Sequence, residues 1–300
     1  MTLTGTLTGT LTGTLTGTLA GRLRAGAATA LLAATGLLLP AAAPEASAAA
    51  AAPYTSRFGA WAKTPEDVPR LAALMGHPLT SLRIYYDTPP TRWLTTGLLG
   101  ALPDNGTVSI SFHHGTPAQV QAFLSGHPAT VKCYATYYHE PEFVFVTPAQ
   151  QAEFQAAFAT YAPAIRAAGC IPTLILHNWV MHDPTRNWRD WYPQGSVDAL
   201  GFDAYNLTAP KGVYPTPAEF LAPFVAASRE TGLPWAMPEV GSFISPGGLT
   251  SASRAEWAHG VAVAARRDPG FLFANWWDSI GADTSKDFTM DTALGAAWRR

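Results

Sequence analysis

Eight short apolar or β-rich runs punctuate the chain: Phe58–Ala62, Ser81–Tyr86, Thr107–Phe112, Val131–Tyr138, Ile171–His177, Val197–Tyr205, Trp235–Val240 and Phe271–Trp277. Most are separated by segments with helical spacing. Many are apolar without interruption, as strands of a parallel sheet covered by helices should be. Eight strand–helix units in one domain of about 250 residues predict an α/β fold, a closed (β/α)8 or TIM barrel. An open doubly wound sheet is the alternative. Against it, Phe58-Gly59-Ala60-Trp61 stands where a glycine-rich phosphate loop would follow the first strand.

The helix starts share one grammar. Thr116-Pro117-Ala118-Gln119, Thr147-Pro148-Ala149-Gln150 and Thr216-Pro217-Ala218-Glu219 each offer a Thr cap, a Pro in the first helical position and a side chain that reaches back to the cap. Thr64-Pro65-Glu66-Asp67 is a shorter-armed version. Pro163 is expected to kink or end the helix begun at Pro148. A further helix is expected over 252–266, before Asp268-Pro269-Gly270.

Residues 1–52 are set apart as a leader and 53–300 as the barrel. Thr2–Gly17 is four copies of Thr-Leu-Thr-Gly, a repeat without the period of a helix or a half-buried strand. Arg22 and Arg24, an Ala/Leu stretch to Leu39, and Ala46-Ser47-Ala48 follow in the order of a secretory signal with its cleavage site. The repeat is foreign to such a signal and leaves the true start open. The apolar run, broken at Thr35-Gly36 and Pro40, is short for a bilayer span. The reading is therefore export, with no stable membrane insertion after cleavage, and a membrane anchor as the alternative. Cys133 and Cys170 form a disulfide if export oxidises them, or stay as two buried thiols. A net charge of −2 offers no electrostatic case for nucleic acid. Charged residues are only 13% of the chain, whereas ten Trp and ten Tyr need a core or a cleft to cover them.

A barrel of this kind carries its site at the C-terminal ends of the strands. There the chain places Arg83, His113-His114, His139-Glu140-Pro141-Glu142, His177-Asn178-Trp179, Asp203-Ala204-Tyr205, Glu239-Val240-Gly241 and Asn275-Trp276-Trp277. Strands four and seven lie across the mouth from each other, so Glu140 and Glu239 can face one another. Cleavage of a glycoside needs such a pair, one carboxyl to protonate the leaving oxygen and one to attack or to activate water. No Gly-x-Ser-x-Gly elbow is present, and no Cys/His spacing suggests zinc.

In these motifs the chain resembles glycoside hydrolase clan A, over the whole barrel as an order of motifs. The resemblance implies Glu140 as acid/base, Glu239 as nucleophile, Arg83 steadying the nucleophile, Tyr205 hydrogen-bonded to it, and Trp276 or Trp277 under the reacting sugar. His139, where most of the clan has Asn, is similar to glycoside hydrolase family 26, which includes β-mannanases. Pro141-Glu142-Phe143 departs from the Met-Asn-Gly usual there.

The expectation is a secreted retaining β-glycosidase, endo-acting on a polysaccharide such as β-mannan or β-glucan, working as a monomer without cofactor or metal. Arg83, His113, His139, Asn178, Trp179, Tyr205, Trp276 and Trp277 are expected to bind substrate. Trp188 and Trp191 are expected on a stacking loop. Glu142 is either a substitute acid or a supporting contact. An inactive carbohydrate-binding barrel and a metal-assisted hydrolase are the alternatives.

Overall fold

The structure is a computed structural model that describes residues 57–244, 250–280 and 286–298. The barrel lies within one compact unit, Ala50–Arg300. The leader expected over 1–52 falls outside the described residues. No helix among the described residues is long and apolar enough to cross a membrane.

Eight parallel strands close in chain order: β1 (Arg57–Trp61), β2 (Ser81–Tyr86), β3 (Thr107–Phe112), β4 (Lys132–Tyr137), β5 (Ile171–His177), β6 (Ala199–Tyr205), β7 (Trp235–Gly241) and β8 (Phe271–Trp277). The helices are α1 (Asp67–Met75), α2 (Gly97–Gly100), α3 (Pro117–Leu124), α4 (Pro148–Ala167), α5 (Trp179–His182), α6 (Pro217–Thr231), α7 (Ser251–Arg266) and α8 (Thr292–Trp298). The expected (β/α)8 barrel is therefore the fold, with α2 and α5 reduced to single turns.

The Thr caps work as the sequence implies. Thr116, Thr147 and Thr216 each accept a hydrogen bond from the third helical N–H, and Gln119, Gln150 and Glu219 reach back to the cap. At Thr64 the shorter Asp67 side chain makes the return contact, at 3.0 Å to the Thr64 N–H, and α1 starts two residues later than Pro65. Pro163 does not end α4, which runs on to Ala167. Pro163 and Ala159 are both exposed. The carbonyl that Pro163 leaves without a donor thus faces water, which makes the interruption tolerable.

The strands are not uniformly apolar in the sense expected. Their outward residues, such as Val108, Ile110 and Phe112, join the main core with helix residues Phe123, Phe220 and Phe224. Their inward residues are mostly polar. Arg83 and Tyr85 align with Ser109 and Ser111, and these with Tyr134 and Thr136. Ser109, Ser111, Thr136, Thr173, Asp203, Glu239 and Asn275 are all buried. The barrel floor alone is apolar, where Tyr134 meets Phe273 across the barrel, ring centroids 4.8 Å apart, beside Ala199 and Ala236.

Cys133 in β4 and Cys170, just before β5, form a disulfide with Cα atoms 4.7 Å apart, which settles the pairing. It bridges 37 residues of sequence, including all of α4. Closing a loop of that length restricts the unfolded chain by about 2–4 kcal/mol. Replacing both cysteines by serine should lower unfolding stability by about that amount in a denaturant titration, with the far-ultraviolet circular dichroism of the folded protein unchanged.

Candidate active site

Strand β7 carries the central carboxylate, and its register explains how. Ala236 packs inside the barrel floor, whereas Met237 and Val240 pack in the outer core. Strict alternation would send Glu239 outward with Met237. The β6–β7 and β7–β8 registers both slip in this stretch, Gly201 and Asp203 pairing with Ala236 and Glu239. Pro238 lies within the slip and has no N–H for the ladder, so a bulge there costs little. The extra residue reverses the phase and turns Glu239 into the barrel. Gly241 follows on the same face because no larger residue fits. A Cβ there would lie 2.9 Å from Phe288 and 3.1 Å from Tyr205.

Three donors converge on Glu239, which is buried. The Arg83 Nε lies 3.4 Å from Oε1. The Tyr85 hydroxyl donates to Oε1, and the Tyr205 hydroxyl donates to Oε2 at 2.5 Å. Each contact stabilises negative charge on that carboxylate. Arg83 is wholly buried and also donates to the Ile84 and Ser109 carbonyls. Its guanidinium lies 4.1 Å from the centre of the Tyr85 ring.

Glu140 follows β4 in an unusual backbone. Tyr138 and Glu140 both have left-handed φ, 56° and 52°, a conformation costing about 1–2 kcal/mol for residues other than glycine. The Tyr138 N–H donates to the Phe112 carbonyl at 2.8 Å, and the Glu140 N–H to the Ile175 carbonyl at 2.9 Å. Pro141–Phe143 then makes a 3₁₀ turn. These bonds hold the Glu140 side chain at the wall of a cavity of about 680 Å³ that Glu239, His139, Tyr205 and Trp277 also line. One oxygen each of Glu140, Asp203 and Glu239 lies within 4.8 Å of the other two.

Burial pushes the Glu140 carboxyl up to about 9, the Glu239 charge and then the Glu142 charge add to this, and Arg83 opposes it. Asp203 pairs in register with Glu239, is fully buried, and has no donor facing either oxygen. Burial, then the Glu239 charge, drives its carboxyl well above the usual range, and once protonated it can donate to Glu239. Burial also lowers His139 far below the usual imidazole range, with Arg83 and His113 adding to it, and lowers His177 to about 4. Both imidazoles are neutral at pH 7.

The expected site residues divide by strand parity. Arg83, His139, Tyr205 and Trp277 gather with the two glutamates. Trp277 lines the cavity while stacked on Trp61, centroids 4.4 Å apart. Trp276, the adjacent residue, points to the opposite face. It is fully buried against Trp298 and donates to the Phe288 carbonyl at 2.7 Å, so it is a core residue and not a sugar platform. Asn178 is also buried. It grips the Tyr205 backbone at both ends, at 2.8 and 3.1 Å, and so positions Tyr205. His113 stacks between Tyr138 and His139 and lines an adjoining recess. Trp179 packs against Phe143 and under Arg186, beside the cavity and not among its lining residues. Trp188 and Trp191 are buried, with the Trp191 Nε1 donating to the Phe145 carbonyl at 2.8 Å, so they anchor the β5 loop and present no stacking face.

The sequence assigns no role to Tyr85 or Asp203, although Asp203 stands among the strand-end groups. The signal for both is a spacing of two: Tyr85 from Arg83, and Asp203 from Tyr205, an acid in the otherwise uncharged strand Ala199–Tyr205.

Two clusters of ligand-type groups occur among the described residues. In His127–Cys133–Cys170 the sulfurs are consumed by the disulfide. In Glu140–Asp203–Glu239 the Arg83 guanidinium already faces the carboxylates and would repel a cation.

No protein-family model matches the chain, and no curated protein matches it in sequence. Solved structures do share its fold. A fungal β-1,4-galactanase superposes with a TM-score of 0.57 at 11% identity, covering 82% of this chain and 99% of the other. An endo-β-1,3-glucanase of glycoside hydrolase family 128 from Amycolatopsis mediterranei, in complex with laminaritriose, gives 0.54 at 14% identity, with coverage of 82% and 99%. The catalytic domain of a family 26 endo-β-1,4-mannanase from Bacillus sp. JAMB-750 gives 0.55 at 13%, with coverage of 81% and 84%. At these identities the likeness is one of fold.

Raised carboxyl pKa values link the site to stability. Burial raises Glu142 to about 8 and Glu140 to about 9. The protonated forms favour the folded state. Their contribution is complete below the ordinary carboxyl range and is lost as pH rises through those values. A Glu140→Gln/Glu142→Gln double variant should therefore lose less stability than the wild type between about pH 6 and pH 10, read as denaturant midpoints. Parallel curves would show that these carboxyls ionise freely in the fold.

Proposed function

We propose that this chain is an endo-acting retaining β-glycosidase that cuts a polysaccharide such as β-mannan or β-glucan. The observation that carries this reading is the unequal pair of carboxyls in one cavity. Glu239 receives three donors suited to an anion, while Glu140, with an oxygen within 4.8 Å, is held protonated by burial and by the Glu239 charge. Oxygens no more than 4.8 Å apart suit direct attack by the second carboxylate, whereas inverting enzymes hold their carboxyls about 6.5–9.5 Å apart to admit water.

Glu239 attacks the anomeric carbon while Glu140 gives its proton to the departing oxygen, leaving a glycosyl ester on Glu239. Ester formation removes the Glu239 charge that helps to raise Glu140. The Glu140 carboxyl then falls in pKa and can act as base. It takes a proton from water, whose oxygen attacks the same carbon and frees Glu239, so both carboxyls return to their starting states. Trp277 offers the sugar an aromatic face, and the neighbouring Phe243 and Phe288 give the cavity an apolar wall.

The signal-like leader and the Cys133–Cys170 disulfide support export to an oxidising compartment. A monomer suffices, because one barrel supplies every group in the cavity. The solved neighbours act on β-linked glycans by name, which favours a polymer over a small glycoside.

Reducing-sugar release from mannan, glucan and xylan tests the proposal. The wild type should hydrolyse at least one polymer, with the β configuration retained in the first product by NMR. Glu140→Gln should lower turnover by about 100- to 10,000-fold, and Glu239→Ala should bring it to background. Wild-type turnover in Glu239→Ala would sink the mechanism. Loss of activity on chelation, restored by a divalent ion, would replace it with a metal-assisted one.

A further inference from the structure

We propose that Glu142 is a positioning residue for Glu140, its side chain acting as a surrogate strand that closes the gap between β4 and β5 beneath the acid. The proposal rests on the reading of Glu140 as the general acid.

The gap arises from the pairing of the two strands. The β4–β5 ladder covers Tyr134 with Ile171 and Ala135 with Pro172. The other neighbouring pairs from β2 to β4 stay in register to the strand ends. Pro172 has no N–H to donate, and beyond it the strands part toward the catalytic rim. Polar backbone groups of β5 would be left in a buried seam. Two bonds from the Glu140 segment replace the ladder there. The Glu140 N–H donates to the Ile175 carbonyl at 2.9 Å, and the His177 N–H donates to the Glu142 Oε1. They flank Glu140 on either side. Its left-handed backbone, followed by Pro141, would not persist without such restraint.

Glu142 is itself only 1% exposed and lies outside the cavity lining. Its Oε2 has no partner. A buried carboxyl with one oxygen unpartnered is an expensive way to fill space, so its use points to the bond it makes across to β5. Burial raises its pKa to about 8, so it is neutral at pH 7 while Oε1 still accepts from His177. Gln is then a close mimic of the neutral acid, with the same acceptor, whereas Ala removes the clasp. The other titratable or charged groups facing Glu140 are Glu239 on β7, Asp203 on β6 and Arg83 on β2, and both substitutions leave these in place.

The test uses leaving groups. Glu140→Ala, Glu142→Ala and Glu142→Gln are compared with the wild type on the polymer it hydrolyses and on the matching 2,4-dinitrophenyl β-disaccharide, whose leaving group needs no proton. Glu142→Ala should lose about 100-fold on the polymer and under about 10-fold in formation of the glycosyl-enzyme from the activated substrate, following Glu140→Ala. Glu142→Gln should restore most of the loss. Equal losses on both substrates would mark a purely structural residue and overturn the proposal, as would no loss on either. If Glu140→Ala shows no leaving-group dependence, the acid assignment fails instead. A readout free of turnover is the carboxyl titration of Glu140 by carbon-13 NMR. Glu142→Ala and Glu142→Gln both remove the Glu142 charge, so the two variants are compared with each other: the midpoint should differ between them, because only Ala removes the acceptor for the His177 N–H. Equal midpoints in the two variants would overturn the proposal even if Glu142→Ala were inactive for another reason.

Discussion

Everything at the mouth of this barrel answers to one buried cation. Arg83 is at 0% exposure inside a closed sheet, where an unpaired guanidinium would cost several kcal/mol. Its compensation organises the neighbouring strands. Glu239 supplies the countercharge from β7, Tyr85 lies against the guanidinium from two residues along β2, and carbonyls of β2 and β3 accept from its Nη1. The charge count closes with one cation and one anion. Two further carboxyls, Asp203 and Glu140, sit so near that anion and so deep in protein that protonation is the cheaper state. The pair of unlike carboxyls on which the proposed hydrolysis rests is thus a consequence of which one faces Arg83.

The Glu140 side of the site is built differently. Glu239 sits within a paired strand, whereas Glu140 sits past the end of β4 in a conformation that most residues avoid. Rigidity there comes from bonds to β5 across a widening seam, and from the disulfide that fastens β4 to the entry of β5 lower down. Strain of this sort persists only where the surroundings over-determine it. A short, strained, clamped segment keeps a Glu140 oxygen within 4.8 Å of a Glu239 oxygen without giving Glu140 the donors that would ionise it.

Aromatic residues serve two ends that composition alone does not separate. Trp276, Trp235 and Trp298 fill the layer between sheet and helices. Trp277 and Tyr205 face the cavity. In β8 the two uses fall on adjacent residues, because a strand turns successive side chains to opposite faces. The Trp-rich loop after β5 belongs with the packing residues. A loop that long needs an anchor, and Trp191 provides one by filling the core and bonding the Phe145 carbonyl.

The order of strands and helices was legible from local signals, since Thr-Pro-x-Gln/Glu caps and eight apolar runs act through near neighbours in the chain. The strand-end motifs likewise put Glu140, Glu239, Arg83 and Tyr205 on one rim, because a closed parallel barrel gathers all its strand ends at the same face. Local signals could not decide phase. Whether Glu239 points in or out depends on a one-residue slip against β6 and β8 at Pro238, and whether Trp276 or Trp277 meets the cavity depends on the register that β8 takes against β1 and β7. Nor could they reveal that Asp203 would be buried opposite Glu239, or that Glu142 would reach across to β5. Those facts concern pairs dozens of residues apart. By itself the sequence determined the barrel and the roster of groups at its mouth. The tertiary structure decided which of them face each other, which lose their charge and which merely pack, because desolvation and charge pairing exist only once the strands have closed.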